Sequence, residues 1–171
     1  MDNTFSLIKT VTVGSGGSSS IDFASIPSTF TDLLLKISIR SAATTWDASR
    51  LSINGSASNF VLRYVQAYGG SNIQAGAGSS TFIGYVNAAD STSNVFTNIE
   101  VLLTNYAGNT NYKTFMSNGA AETNSSSLGY ITYTGNLWSV STAISSLSIY
   151  NSSGSNLVQY SSASLYGITK F

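Results

Sequence analysis

Cysteine and histidine are both absent from the 171 residues, and proline occurs once, at Pro27. Without cysteine there is no disulfide, no thiol nucleophile and no thiolate zinc site. Without histidine the usual general base, proton shuttle and metal ligand are missing. Serine is abundant, but a nucleophilic serine needs a base beside it; only lysine is left to serve, and no Gly-x-Ser-x-Gly elbow occurs. Charge is scarce too: 8% of residues are charged, against roughly 25% in ordinary soluble domains. Lys9, Lys36, Arg40, Arg50, Arg63, Lys113 and Lys170 are scattered, so no basic patch follows a phosphate backbone and nucleic acid is not an expected partner. No apolar run approaches the length of a membrane span. The opening "MDNTFSLIKT" lacks the positive start and apolar middle of a signal peptide, which leads to the expectation of synthesis and assembly in a cytoplasm.

What is present is hydroxyl, amide and alternating hydrophobic character. Ser, Thr and Asn supply 66 residues and hydrophobic side chains 42%, while seven basic and seven acidic groups cancel. Such a surface is wetted by neutral polar groups and repels its neighbours weakly, which favours close association with copies or partners. The length suits one domain, spanning 1–171, with a sizeable core.

The periodicity is that of strands throughout. In "FSLIKTVTV", Phe5, Leu7, Val11 and Val13 share one parity and Ser6, Thr10 and Thr12 the other. "LLLKISIRS" sets Leu33, Leu35, Ile37 and Ile39 against Lys36, Ser38 and Arg40. "NFVLRYVQAY" is apolar on both parities; "VFTNIEVLLTNY" and "AISSLSIY" alternate again; "STFIGYVN" and "LGYITYTG" read as aromatic strands interrupted by glycine. The closing "NLVQYSSASLYGITKF" carries apolar residues on both parities, which predicts a strand inside a sheet or at a covered edge. Both terminal strands are expected in the same sheet, with order beginning within a few residues of Met1.

Turn chemistry separates these runs. "GSGGSSS", "NAADSTSN", "NYAGNTN" and "YNSSGSN" are polar bends, and Asn54-Gly55 is a hairpin signal. "GGSNIQAGAGSS", residues 69 to 80, reads as a long flexible loop, and "ASIPSTFTD" as one helical turn at most. Nine to eleven short strands with regular turns predict an all-β, antiparallel, jelly-roll-like β-sandwich.

Candidate sites are few. Paired carboxylates can cleave sugars, but Asp47, Asp90, Glu100 and Glu122 sit in no informative motif. Calcium needs six to eight oxygens, and the acids around Asp47 and Asp90 are too sparse, so no metal or cofactor is expected. "GAGSST" lacks the lysine and helix of a phosphate loop. The aromatic residues are the richest set: ten Tyr, eight Phe and two Trp. Rings with polar rims stack on sugars while amides and carboxylates hold their hydroxyls. Trp46 with Asp47, Tyr106 with Asn105 and Asn109, and Trp138 are therefore the candidate glycan-binding residues. The competing reading has each Trp plugging an open end of the sandwich or packing at a subunit interface.

Three stretches carry a likeness to a known group: "LIKTVTVGSGGSSSIDFASIPSTFTDLLLKISIRS", "SNVFTNIEVLLTNYAGNTNYKTF" and "AISSLSIYNSSGSNLVQYSSASLYGI". In order and in the closing "SLYGI" the chain resembles small accessory structural proteins of tailed bacteriophages. That resemblance implies a jelly-roll-like module on the virion surface, decorating or cementing the capsid without catalysis. Its implied partners are the major capsid protein or tail components. By analogy the module forms a homo-oligomer, with a symmetric trimer as the expected shape. The alternative is a tail- or head-fibre module that binds host surface glycans.

Overall fold

The computed structural model describes residues 4–124 and 128–169. Met1 and Lys170, both used above, lie outside them. Among the described residues there are twelve strands and no helix: β1 Phe5–Thr12, β2 Ser20–Phe23, β3 Asp32–Ile39, β4 Asp47–Ile53, β5 Phe60–Tyr68, β6 Asn72–Gly78, β7 Gly84–Val86, β8 Thr97–Leu103, β9 Lys113–Glu122, β10 Gly129–Trp138, β11 Leu147–Asn151 and β12 Ser162–Ile168. They form two antiparallel sheets, one of eight strands in the order β1-β12-β3-β8-β9-β10-β5-β6 and one of four in the order β2-β11-β4-β7. The protein is an all-β sandwich.

The pairing is nested. β5 pairs with β6, and around that hairpin β4 pairs with β7, β3 with β8, β2 with β11 and β1 with β12. Successive rungs of this ribbon alternate between the large and the small sheet. The β9–β10 hairpin is inserted between β8 and β5 and widens the large sheet. The two terminal strands pair directly, and β12 lies between β1 and β3, the first of the two places that the two-sided apolar character of the closing stretch leaves open.

Alternation sets the core. Leu33, Leu35, Ile37 and Ile39 of β3 and Ile99, Val101 and Leu103 of β8 are buried in one cluster with Ile21, Phe23, Leu51, Ile53, Leu147 and Ile149 of the small sheet. Each of these larger side chains contributes on the order of 1.5–3 kcal/mol on leaving water. Gly84 of β7 and Gly119 of β9 let the sheets approach: an ideal Cβ on either would come within 3.1–3.3 Å of the Ile99 side chain.

Several expectations are corrected. A bulge between Leu7 and Lys9 switches the parity of β1, so Phe5 and Leu7 are exposed while Ile8, Val11 and Val13 pack on the core. An extra residue reverses which face every later side chain takes. The 69–80 loop contains β6, paired over seven residues with β5. Residues 24–31 form turns and no helical turn. Asn54-Gly55 does make the tight turn with positive φ, 51° and 74°, and closes an antiparallel bridge in which Ile53 and Ser56 exchange backbone hydrogen bonds, but the pairing stops there, since the flanking strands β4 and β5 are not neighbours. Its amide instead locks the β10–β11 connection: Asn54 Oδ1 accepts from the N–H of Ser145 at 2.8 Å and Ser146 at 3.1 Å.

Candidate functional site

Eight strands facing four leave part of the large sheet without a partner layer. β7, the edge of the small sheet, packs over β9 and β10. Beyond it, aromatic rings cover the inner side of β10 and β5. Tyr64 meets Phe82 with ring centroids 5.8 Å apart, and Phe82 meets Tyr85 at 5.1 Å. Tyr85 stacks on Tyr130 at 4.1 Å, Tyr68 on Tyr130 at 5.7 Å, and Trp46 meets Tyr130 edge-on at 4.9 Å. Tyr68 and Tyr130 face each other across β5 and β10, which is why their rings stack. Burial raises the Tyr130 hydroxyl above its usual pKa, helped by Tyr85, Tyr68 and Asp90. Beside this ring cluster is a hollow of about 290 Å³ whose lining includes Tyr68, Glu122, Leu128 and Ile131.

The outer face of the large sheet is a second surface. Strand register aligns its side chains in rows. One row runs Tyr166, Leu34, Leu102, Met116. The next runs Ser164, Lys36, Glu100, Asn118, Tyr133, Val65. A third runs Ser162, Ser38, Asn98, Ala120, Ile131, Ala67. From β12 to β10 the last two rows line a shallow trough of about 690 Å³. Lys36 and Glu100 are ion-paired within it. On the β10 side the face turns mostly apolar: Met116 is 69% and Tyr133 57% exposed, and Val61, Val65 and Ile131 are exposed beside them, with the exposed Arg63 between Val61 and Val65.

The residues singled out from sequence are dispersed. Trp46 is half-buried and belongs to the ring cluster. Its neighbour Asp47 is buried, and its carboxylate accepts from Ser153 Oγ at 2.5 Å, Ser41 Oγ at 3.1 Å and the N–H of Ala48 and Ser153. Those donors leave Asp47 holding the turn after β11. Tyr106 is fully buried. Its hydroxyl donates to the carbonyl of Pro27 and accepts from the N–H of Phe30. Asn105 takes a positive φ of 51°, and its N–H donates to Asp32 Oδ1 at 2.8 Å. Asn109 Oδ1 accepts from the N–H of Ala143 at 2.9 Å. Trp138 is 2% exposed, stacked on Phe60. Tyr106 and Trp138 therefore present no ring face to a ligand, and Trp46 is the one candidate ring left at the surface.

The carboxylates are equally separate: Glu100 pairs with Lys36 on the outer face, while Asp90 and Glu122 are exposed at loop and strand ends. Outward parity marked Lys36, Asn98 and Glu100 as solvent-facing, while β9, which carries Asn118, was not recognised as a strand from the sequence. Their convergence in one trough comes from cross-strand register, which no local signal in the chain reports. No family model, curated protein or solved structure matches the chain.

Proposed function

We propose that this chain is a non-enzymatic virion structural protein of a tailed bacteriophage that decorates or cements the capsid surface. The carrying observation is the apolar side of the outer sheet face, where Met116, Tyr133, Val65 and Ile131 are exposed on strands whose other parity already fills the interior. Side chains that the core does not need, grouped on one flat face, suit contact with another protein. The nested strand pairing supports a jelly-roll reading. β2·β11, β3·β8, β4·β7 and β5·β6 make an eight-stranded ribbon rolled so that alternate rungs enter alternate sheets. To this the chain adds the terminal pair β1·β12 and the β9–β10 hairpin. The resemblance of the three long stretches to phage accessory proteins supports the setting and the virion location. Major capsid protein or tail components are the partners in this reading.

Apolar contact is insensitive to ionic screening. The purified chain should co-sediment with capsids of its own phage, and binding should persist at about 0.5 M salt, where the Debye length is only a few ångströms. Met116→Asp and Tyr133→Asp should abolish it while leaving the fold intact. Binding lost at high salt, or unchanged in both variants, overturns the proposal.

The ring cluster favours a second reading, a fibre module that binds host glycans through Trp46, Tyr68 and Tyr85. Trp138 is buried, so sugar-dependent quenching of tryptophan fluorescence would report on Trp46. Binding on a glycan array that is lost in Trp46→Ala supports this reading; an array without hits removes it.

A further inference from the structure

Among the described residues the two sheets end in four edge strands: β1 and β6 of the large sheet, β2 and β7 of the small one. An open edge carries unpaired backbone N–H and C=O groups and invites pairing with another chain unless it is guarded. Three of the four are guarded. β1 is broken by its bulge and carries Lys9. β2 has four residues, one of them Asp22, and β7 has three. By contrast β6, "NIQAGAG", has seven residues, no charge, no proline and an unbroken register with β5. Six of its seven residues are exposed, and Ile73 is 78% exposed.

We propose that β6 pairs antiparallel with β6 of a second copy of this chain about a two-fold axis at Ala75. The sequence of the strand is self-complementary in that register. Ile73 falls opposite Ala77, Gln74 opposite Gly76 and Asn72 opposite Gly78, so each larger side chain meets a small one. Ile73, Ala75 and Ala77 share the outer face with Ala67, Val65 and the exposed Arg63, their partners on β5, and the exposed Ile73 is covered across the seam. On the inner face the Tyr64 hydroxyl lies over Gly76, so close that a Cβ there would be 2.5 Å from it. Gln74 Oε1 already accepts from Gln66 Nε2 of its own chain at 2.9 Å, which leaves the Gln74 Nε2 of the second copy to donate to that hydroxyl. With no charge on β6 itself, and Arg63 lying beside the end of the seam at Ala77 rather than at its centre, little repulsion keeps the two edges apart. The result is a sixteen-stranded sheet continuous across a dimer, in place of the trimer that analogy suggests, and it is independent of what the outer face binds.

The test uses the purified chain alone, so its outcome is separate from capsid binding. Sedimentation of the wild type at concentrations up to about 100 μM should give a dimer, an affinity range ordinary for small interfaces. Ala75→Lys sets like charges opposite one another and should give a monomer with an unchanged circular dichroism spectrum. The chain has no cysteine, which allows the register to be read directly. Directly opposed residues have Cα atoms about 4.5–5.5 Å apart, inside the about 4.4–6.8 Å that a disulfide spans. Oxidised Ala75→Cys should form covalent dimers and Ala77→Cys should not, while Ala77→Cys mixed with Ile73→Cys should. A monomeric wild type, an Ala75→Lys variant of wild-type mass, or equal cross-linking at Ala75 and Ala77 overturns the proposal.

Discussion

The ring of Phe30 lies against Gly167, in the space a side chain on β12 would need. A Cβ at Gly167 would overlap the ring at Cγ and both Cδ atoms. The glycine of the closing "SLYGI" is therefore a seat for an aromatic residue in the turn before β3, and this joins the end of the ribbon to its beginning. Gly167→Ala should destabilise the fold by about 1–3 kcal/mol, the cost of overpacking a filled site. In urea unfolding, Phe30→Leu combined with Gly167→Ala should cost less than the sum of the two single changes, since both act on one contact.

The same turn is tied to the core by Tyr106, whose hydroxyl bonds Pro27 and Phe30. Burial raises the Tyr106 pKa above 10.0, and the Phe30 N–H offsets that in part. Tyr106→Phe should cost about 1–3 kcal/mol at neutral pH by stranding two backbone groups. A raised folded-state pKa contributes stability below the unfolded value and loses it as pH climbs through the folded one. The difference between wild type and Tyr106→Phe should hold up to about pH 10 and shrink above it, as read by pH-dependent unfolding.

Lys113 has the opposite sign. It is 2% exposed, and its Nζ donates to the carbonyls of Asn111 at 2.6 Å and Ser141 at 2.9 Å. Desolvation lowers its pKa below 10.5. A depressed folded-state pKa contributes stability above the unfolded value and loses it as pH falls through the folded one. Wild type should therefore gain on Lys113→Met as pH rises towards 10.5. At neutral pH Lys113→Met should be within about 1 kcal/mol of wild type, because removing a buried charge offsets the lost hydrogen bonds.

Arg40 organises the loop between β7 and β8. Its guanidinium donates to the carbonyls of Ala88 at 2.5 Å, Thr92 at 2.8 Å, Val95 at 2.9 Å and Ser91 at 3.1 Å. Arg40→Ala should cost on the order of 2 kcal/mol, and hydrogen exchange at residues 88–95 should quicken. Arg40→Lys should recover only part, since an ammonium cannot present a planar fork to four acceptors.

Local pattern made much of this fold legible. The parity of Leu33, Leu35, Ile37 and Ile39 identified the face of β3 that is buried, because a strand sends successive side chains to opposite sides. The apolar residues on both parities of the closing stretch pointed to a strand inside a sheet or at a covered edge, and β12 takes the first of these places, with β1 and β3 beside it. Where the reading failed, long-range pairing overrode local preference. β6 is too rich in glycine and alanine to signal a strand, yet β5 pairs with it along its length. The bulge in β1 leaves no mark in a sequence of alternating residues, and it reverses Phe5 and Leu7.

The candidate site divides in the same way. Composition determined that this chain has no histidine or cysteine chemistry and little charge to keep copies apart, and the alternation of its residues pointed to strands enough for a two-layer body. Only the tertiary structure decided which aromatic residues serve the interior and which the surface, burying Tyr106 and Trp138 while leaving Trp46 at the mouth of a ring cluster. The physical reason is that burial of a ring depends on what lies across from it, and register between strands distant in the chain sets that neighbour.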